Sequence, residues 1–157
     1  MLAIPVSLAI GVNVFRLEGV FILALAGEGR LGGPFPQSAG WGDIVVGVLA
    51  IPLAILATRT GANDARILAW NAFGILDLVL AVTLGIASGN GSPLQLIHAG
   101  AGSAAIQMLP WSLIPTVLVP LFLISHAVVF ARARENAAHR RSAASNESWR
   151  GEAASAR

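Results

Sequence analysis

Apolar residues run along this chain in long blocks, without the alternation of a half-buried strand or the narrow stripe of a surface helix. A hydrocarbon layer is crossed by about 20 predominantly apolar residues in helical form. Four windows meet that length, at residues 6–26, 41–58, 67–87 and 110–131. The pattern predicts an all-α polytopic membrane protein, a bundle of four transmembrane helices in one domain over residues 1–131. A Gly/Pro-rich loop, GEGRLGGPFPQSAGWG, joins the first two spans, and a polar turn, RTGANDAR, joins the second and third. The segment 88–109 is broken by Gly89, Gly91, Pro93, Gly100 and Gly102. It is too interrupted for a regular spanning helix and is expected at the outer interface. Residues 132–157 read as a polar, disordered tail.

Composition strengthens this picture. The chain has 157 residues, of which 55% are hydrophobic and 11% charged. Soluble domains carry about 25% charged residues, so the composition argues against a soluble enzyme, a disordered protein or a nucleic-acid binder. Between Leu78 and Ala131 there is no Asp, Glu, Lys or Arg across 54 residues. With no cysteine, disulfides and thiolate chemistry are excluded as well. The remaining charge sets the orientation, because cytoplasmic loops are enriched in Arg and Lys. Arg132, Arg134, Arg140 and Arg141 follow the last span. Both termini and the Arg59–Arg66 turn are therefore expected in the cytoplasm, with residues 27–42 and 88–109 outside.

The chemistry lies in the few polar residues inside the spans. A charge in hydrocarbon is costly and normally faces inward toward a partner. At 100° per residue, Asp43, Gly47, Ala50, Ala54 and Ala57 share one face of the second span. Trp70, Gly74, Asp77, Ala81, Gly85 and Ser88 share one face of the third. Small residues at this spacing let helices approach closely. Gly47, Ala50, Ala54, Gly74, Ala81 and Gly85 are thus expected packing positions, and both acids should face the interior. Arg16 and Asp77 each stand eleventh in their span, near the midplane, which makes them the leading ion pair. From outside to inside the polar residues should run Asp43, Glu18, Arg16 with Asp77, Asn13, His126, Asn71. Pro52, Pro115 and Pro120 should bend their helices or fit them to neighbours.

Three readings of Arg16, Glu18, Asp43, Asn71, Asp77 and His126 stand open. They form a structural network, a pocket for a small polar or amphipathic ligand, or part of a proton or ion path in an oligomeric transporter. Soluble catalytic motifs are absent, so no enzyme activity and no catalytic residue are expected. His126 lacks a second haem ligand at its depth and the further ligands a metal needs. Neither metal nor cofactor is expected. The expected partners are the lipid bilayer and, beyond it, further copies of the chain or a larger membrane complex.

Four stretches carry a resemblance: FRLEG at 15–19, GWGDIVVG at 40–47, WNAFGILDL at 70–78 and LPWSLIPTVLVPLFLISH at 109–126. Together they resemble a group of uncharacterised bacterial multipass inner-membrane proteins. That resemblance implies location in the bacterial cytoplasmic membrane and no specific activity. It also implies further hydrophobic segments upstream of the Phe-Arg element.

Overall fold

In a computed structural model, residues 4–155 are described, with side chains for residues 4–143. Every regular element among the described residues is helical. Four helical segments are long and apolar enough to cross a membrane: Val6–Gly27, Phe35–Asn63, Ala65–Ala87 and Ile114–Ala143. Helices satisfy their own backbone hydrogen bonds, as a lipid-embedded chain must. Their outer faces carry Leu8, Phe15, Val48, Leu76 and Ile124, all exposed. Such a surface suits lipid and would aggregate in water. The chain is built as an integral membrane protein.

The first span has three parts: α1 (Val6–Gly11), a 3₁₀ stretch (Val12–Glu18) and α2 (Gly19–Gly27). Its buried positions Ile10, Asn13, Arg16, Gly19, Ile22 and Leu25 fall three apart. A 3₁₀ helix has three residues per turn, so residues i and i+3 eclipse. The tightened stretch therefore aims Asn13 and Arg16 in one direction, into the bundle. Gly19 continues the stripe where the second span comes closest. A Cβ there would lie 2.9 Å from that of Asp43.

The second span begins with α3 (Phe35–Thr60), six residues before the expected start at Trp41. Pro34 and Pro36 explain the difference. Proline is tolerated in a first helical turn, whose N–H groups need no intrahelical partner. The early start shortens the preceding loop and moves Trp41 into the helix. It also carries Asp43 to the ninth helical position, about 12 Å from the helix start at 1.5 Å per residue. On the inner face Asp43, Gly47, Ala50 and Ala57 are buried, while Ala54 is half-buried. Pro52 is exposed on the opposite side.

After a 3₁₀ turn (Gly61–Asn63), Asp64 caps α4 (Ala65–Ala87), accepting from the Arg66 backbone N–H at 3.0 Å. The Arg66 side chain also binds Asp64, and these hydrogen bonds hold the Asp64 carboxyl below its ordinary value. Trp70, Gly74, Asp77 and Ser88 are buried, whereas Ala81 and Gly85 are half-buried.

Residues 88–113 fold back over one end of the helices instead of crossing. The backbone N–H of Gly32 donates to the carbonyl of Gly102 at 2.8 Å, tying this cap to the loop between the first two spans. Gly102 has φ 58°, a left-handed conformation that favours glycine. Ala105 and Ile106 enter an apolar cluster with Ile22, Leu25, Phe35 and Ala39. The fourth span then starts with a wide π turn (Ile114–Leu118) containing Pro115 and leads into α5 (Val119–Ser155), with Pro120 near its start. Prolines lack the N–H of a regular ladder, and a π turn accommodates the missing bonds. At the opposite end the Asn63 side chain donates to the Ala133 carbonyl at 3.1 Å. The expected disordered tail is instead helical as far as Ser155. Its residues are largely Ala, Arg, Glu and Ser without proline, and Ala, Arg and Glu are good helix formers.

Gly74 faces the His126 ring so closely that a Cβ would collide with it, whereas nothing lies within 4 Å of a Cβ on Gly11. Gly74→Ala is expected to cost about 1–3 kcal/mol through overpacking. Gly11→Ala should be neutral or slightly stabilising. Thermal unfolding in detergent micelles checks the contrast; equal melting temperatures for the two variants would contradict this packing.

Candidate functional site

A single arginine organises the interior. Arg16 is fully buried. Its Nε donates to Asp43 Oδ1 at 2.7 Å, and its Nη2 donates to Asp77 Oδ2. Nη1 donates to the Gly74 carbonyl at 3.2 Å and faces His126 Nε2 at 3.4 Å. The guanidinium also lies 5.6 Å from the Phe122 ring centroid. Guanidinium is a planar, permanently charged fork that can hold two carboxylates at once, which a single ammonium does less well. Three of the four spans supply these partners to the first.

The arginine also sets the His126 tautomer. Arg16 can only donate, so His126 Nε2 must accept. The ring proton then sits on Nδ1 and is donated to Asn71 Oδ1, 2.9 Å away. Trp70 packs against the imidazole with ring centroids 5.1 Å apart, and its Nε1 donates to the Val46 carbonyl at 3.1 Å. Asn13, one 3₁₀ turn before Arg16, donates to Ser125 Oγ at 2.9 Å and to the Ala9 carbonyl at 3.1 Å. Ser125 passes the bond on to the Phe122 carbonyl at 2.7 Å. One chain of buried polar groups thus links Asp43 and Asp77 through Arg16 to His126 and Asn71.

Glu18 stands apart from these bonds. Both its carboxyl oxygens are shielded and have no hydrogen-bond partner. It lies two residues from Arg16 and next to Gly19, whose Cβ position is 2.9 Å from the Cβ of Asp43. Three carboxyl groups therefore share the neighbourhood of one guanidinium.

Asp43 also lines a cavity of about 190 Å³. Its walls come from all four spans and the cap, including Ala39, Leu78, Ala81, Ile106 and Val119. Apart from Asp43, Gln107 is the one polar side chain on the lining. The cavity is thus an apolar pocket with a carboxyl group on its wall, open to the outside along the exposed Val82, Ile86 and Pro115. Among the described residues no three His, Asp or Glu side chains converge as a metal site.

A family model described as Domain of unknown function (DUF8737) matches residues 4–134. The chain belongs to the DUF8737 family. That match includes every member of the DUF8737 chain's polar centre and its cavity wall. No curated protein and no solved structure matches the chain.

The structure brings Arg16, Asp43, Asp77, His126 and Asn71 into one connected group and leaves Glu18 beside it without a bond. The expected depth order requires a correction. Asp43 does not sit near an outer mouth separate from Arg16; the early start of α3 brings it to the level of the guanidinium. His126 likewise meets Arg16 directly, because the fourth span becomes helical only at Ile114. Of the expected packing positions, Gly47, Ala50 and Gly74 are buried at contacts, while Ala81 and Gly85 line the cavity. Sequence reasoning missed Ser125 and the Gly74 carbonyl as partners. It also missed Gly42, whose missing side chain leaves the space that the Asp77 carboxyl fills.

Removing one partner of a buried ion pair costs about 3–5 kcal/mol, because the other charge is left without compensation. Arg16→Met should incur that loss, since it strands two carboxyls at once. Adding Asp43→Asn and Asp77→Asn to Arg16→Met should restore much of it by neutralising them. Unfolding by sodium dodecyl sulfate from mild detergent measures both. A triple variant no better than Arg16→Met would contradict the bridging role.

Proposed function

We propose that this membrane protein is a non-enzymatic binder that holds a small amphipathic molecule between its spans. Support comes from the contact between the polar centre and the cavity. A chamber of about 190 Å³ exceeds the roughly 150 Å³ apolar cavities that take up benzene. Ligand sites are typically apolar hollows with a few placed polar groups. Here Asp43 is such a group, held by Arg16, which is itself fixed by Asp77, the Gly74 carbonyl and His126. The two arginine–aspartate bonds would preorganise the site and also fix the register of the spans. The Arg distribution supports cytoplasmic termini, and the resemblance noted from the four motifs supports a bacterial cytoplasmic membrane. Broad apolar flanks leave room for further copies of the chain or for a larger assembly.

A second reading is a small proton- or ion-coupled transporter acting as an oligomer. It is favoured by the continuity of polar groups from Asp43 to Asn71 and by the two carboxyls that bond one guanidinium, with Glu18 shielded nearby. Flux into liposomes containing a pH-sensitive dye discriminates the two. Transport reduced by Asp77→Asn would favour this reading; no flux above empty liposomes would exclude it.

For the binder, 1-octanol should bind wild-type protein saturably and raise its melting temperature in maltoside micelles. Ala81→Phe, which fills the chamber, should abolish the rise while remaining folded. An identical response from both proteins would show partition into micelles and contradict a binding cavity.

A further inference from the structure

Resting on the binder reading, we propose that the cavity selects a hydrophobic cation, a protonated amine on an apolar body, seated against Asp43. The first argument is the state of Arg16. Its Nε is engaged by Asp43, its Nη2 by Asp77, and its Nη1 by the Gly74 carbonyl and His126. An incoming carboxylate or phosphate would find the guanidinium already committed to two carboxyls. It would also meet Asp43, which repels it, on the cavity wall.

The second argument is charge balance. Asp43 and Asp77 both bond one guanidinium, and Glu18, two residues from Arg16 in the chain, is shielded without any hydrogen-bond partner. Net charge in hydrocarbon is costly, so the surplus negative charge is met by protons or by a bound cation. Asp43 is the acid of this group that reaches the cavity lining, and it is 5% exposed. A cation entering the chamber can therefore reach a carboxylate without disturbing the arginine.

Shape supplies the third argument. A bare metal ion would need several oxygen ligands, and the lining offers only Asp43 and Gln107 beside apolar walls. A primary ammonium needs few acceptors, while an attached alkyl or aryl body contacts Leu78, Ala81, Ile106 and Val119. The ammonium donates to Asp43, and the apolar body replaces empty space with packing.

The test compares three eight-carbon probes on the full chain in maltoside micelles: octylammonium chloride, 1-octanol and sodium octanoate. Binding is read from concentration-dependent melting shifts, with Ala81→Phe as the baseline for micelle partition. Octylammonium is expected to bind about tenfold more tightly than 1-octanol, a difference of one decade in Kd. Octanoate should show no saturable shift. Asp43→Asn should erase the advantage of octylammonium over 1-octanol. Octanoate binding as well as octylammonium, or an unchanged preference in Asp43→Asn, would overturn the cation selectivity while leaving the cavity as a binding site. Loss of saturable binding for all three probes would overturn the binder reading itself. Should Asp43→Asn not fold, the ranking of the probes on wild-type protein decides the matter.

Discussion

A permanently charged guanidinium in hydrocarbon must be neutralised where it stands, and the interior of this protein is arranged around that constraint. Arg16 cannot reach water from the middle of the first span, because its side chain is fully enclosed. Two carboxyls, a backbone carbonyl and an imidazole are brought to it by the other three spans. Each demands a local concession. The first span tightens to 3₁₀ geometry so that Asn13 and Arg16 align, Gly42 gives up a side chain to the Asp77 carboxyl, and Gly74 gives one up to His126. These features are separated in sequence and serve one charge.

Buried ion pairs are weak evidence for stability, since desolvation offsets much of their attraction. Their value here lies in specificity. Apolar helices in lipid have no hydrophobic force to select one rotation or register over another, and polar contacts together with small-residue packing do so. Arg16 bonded to both α3 and α4 fixes the relative depth of three spans. The same arrangement leaves an acidic surplus beside an apolar chamber, so that the group stabilising the fold also gives the chamber its polarity. Structure and binding are thus two consequences of one neutralisation problem.

Much of this was legible in the residues. Four spans, inward-facing acids and the equal depth of Arg16 and Asp77 follow from window hydropathy, helical periodicity and rise per residue. The boundaries of the second and fourth spans were less legible. Pro34 and Pro36 read as loop residues, yet proline is also a first-turn residue, and only the packed structure distinguishes the two uses. A start at Trp41 instead of Phe35 puts Asp43 almost two turns nearer the helix end, outward of the guanidinium it bonds. The 3₁₀ stretch was illegible for another reason. Its residues have no local signature, and the geometry arises from the partners they must meet. The cavity depends on how residues 88–113 fold over the helix ends, which periodicity cannot describe.

The most direct measurement is solid-state NMR on the protein in lipid bilayers, with nitrogen-15 in the arginine guanidinium groups and carbon-13 in the aspartate carboxyls. Comparison with Asp43→Asn and Asp77→Asn assigns the signals. The account predicts dipolar coupling from Arg16 to both carboxyl carbons and slow exchange of its guanidinium protons with water. Coupling to neither carboxyl, or guanidinium protons exchanging as freely as those of the exposed arginines, would contradict it.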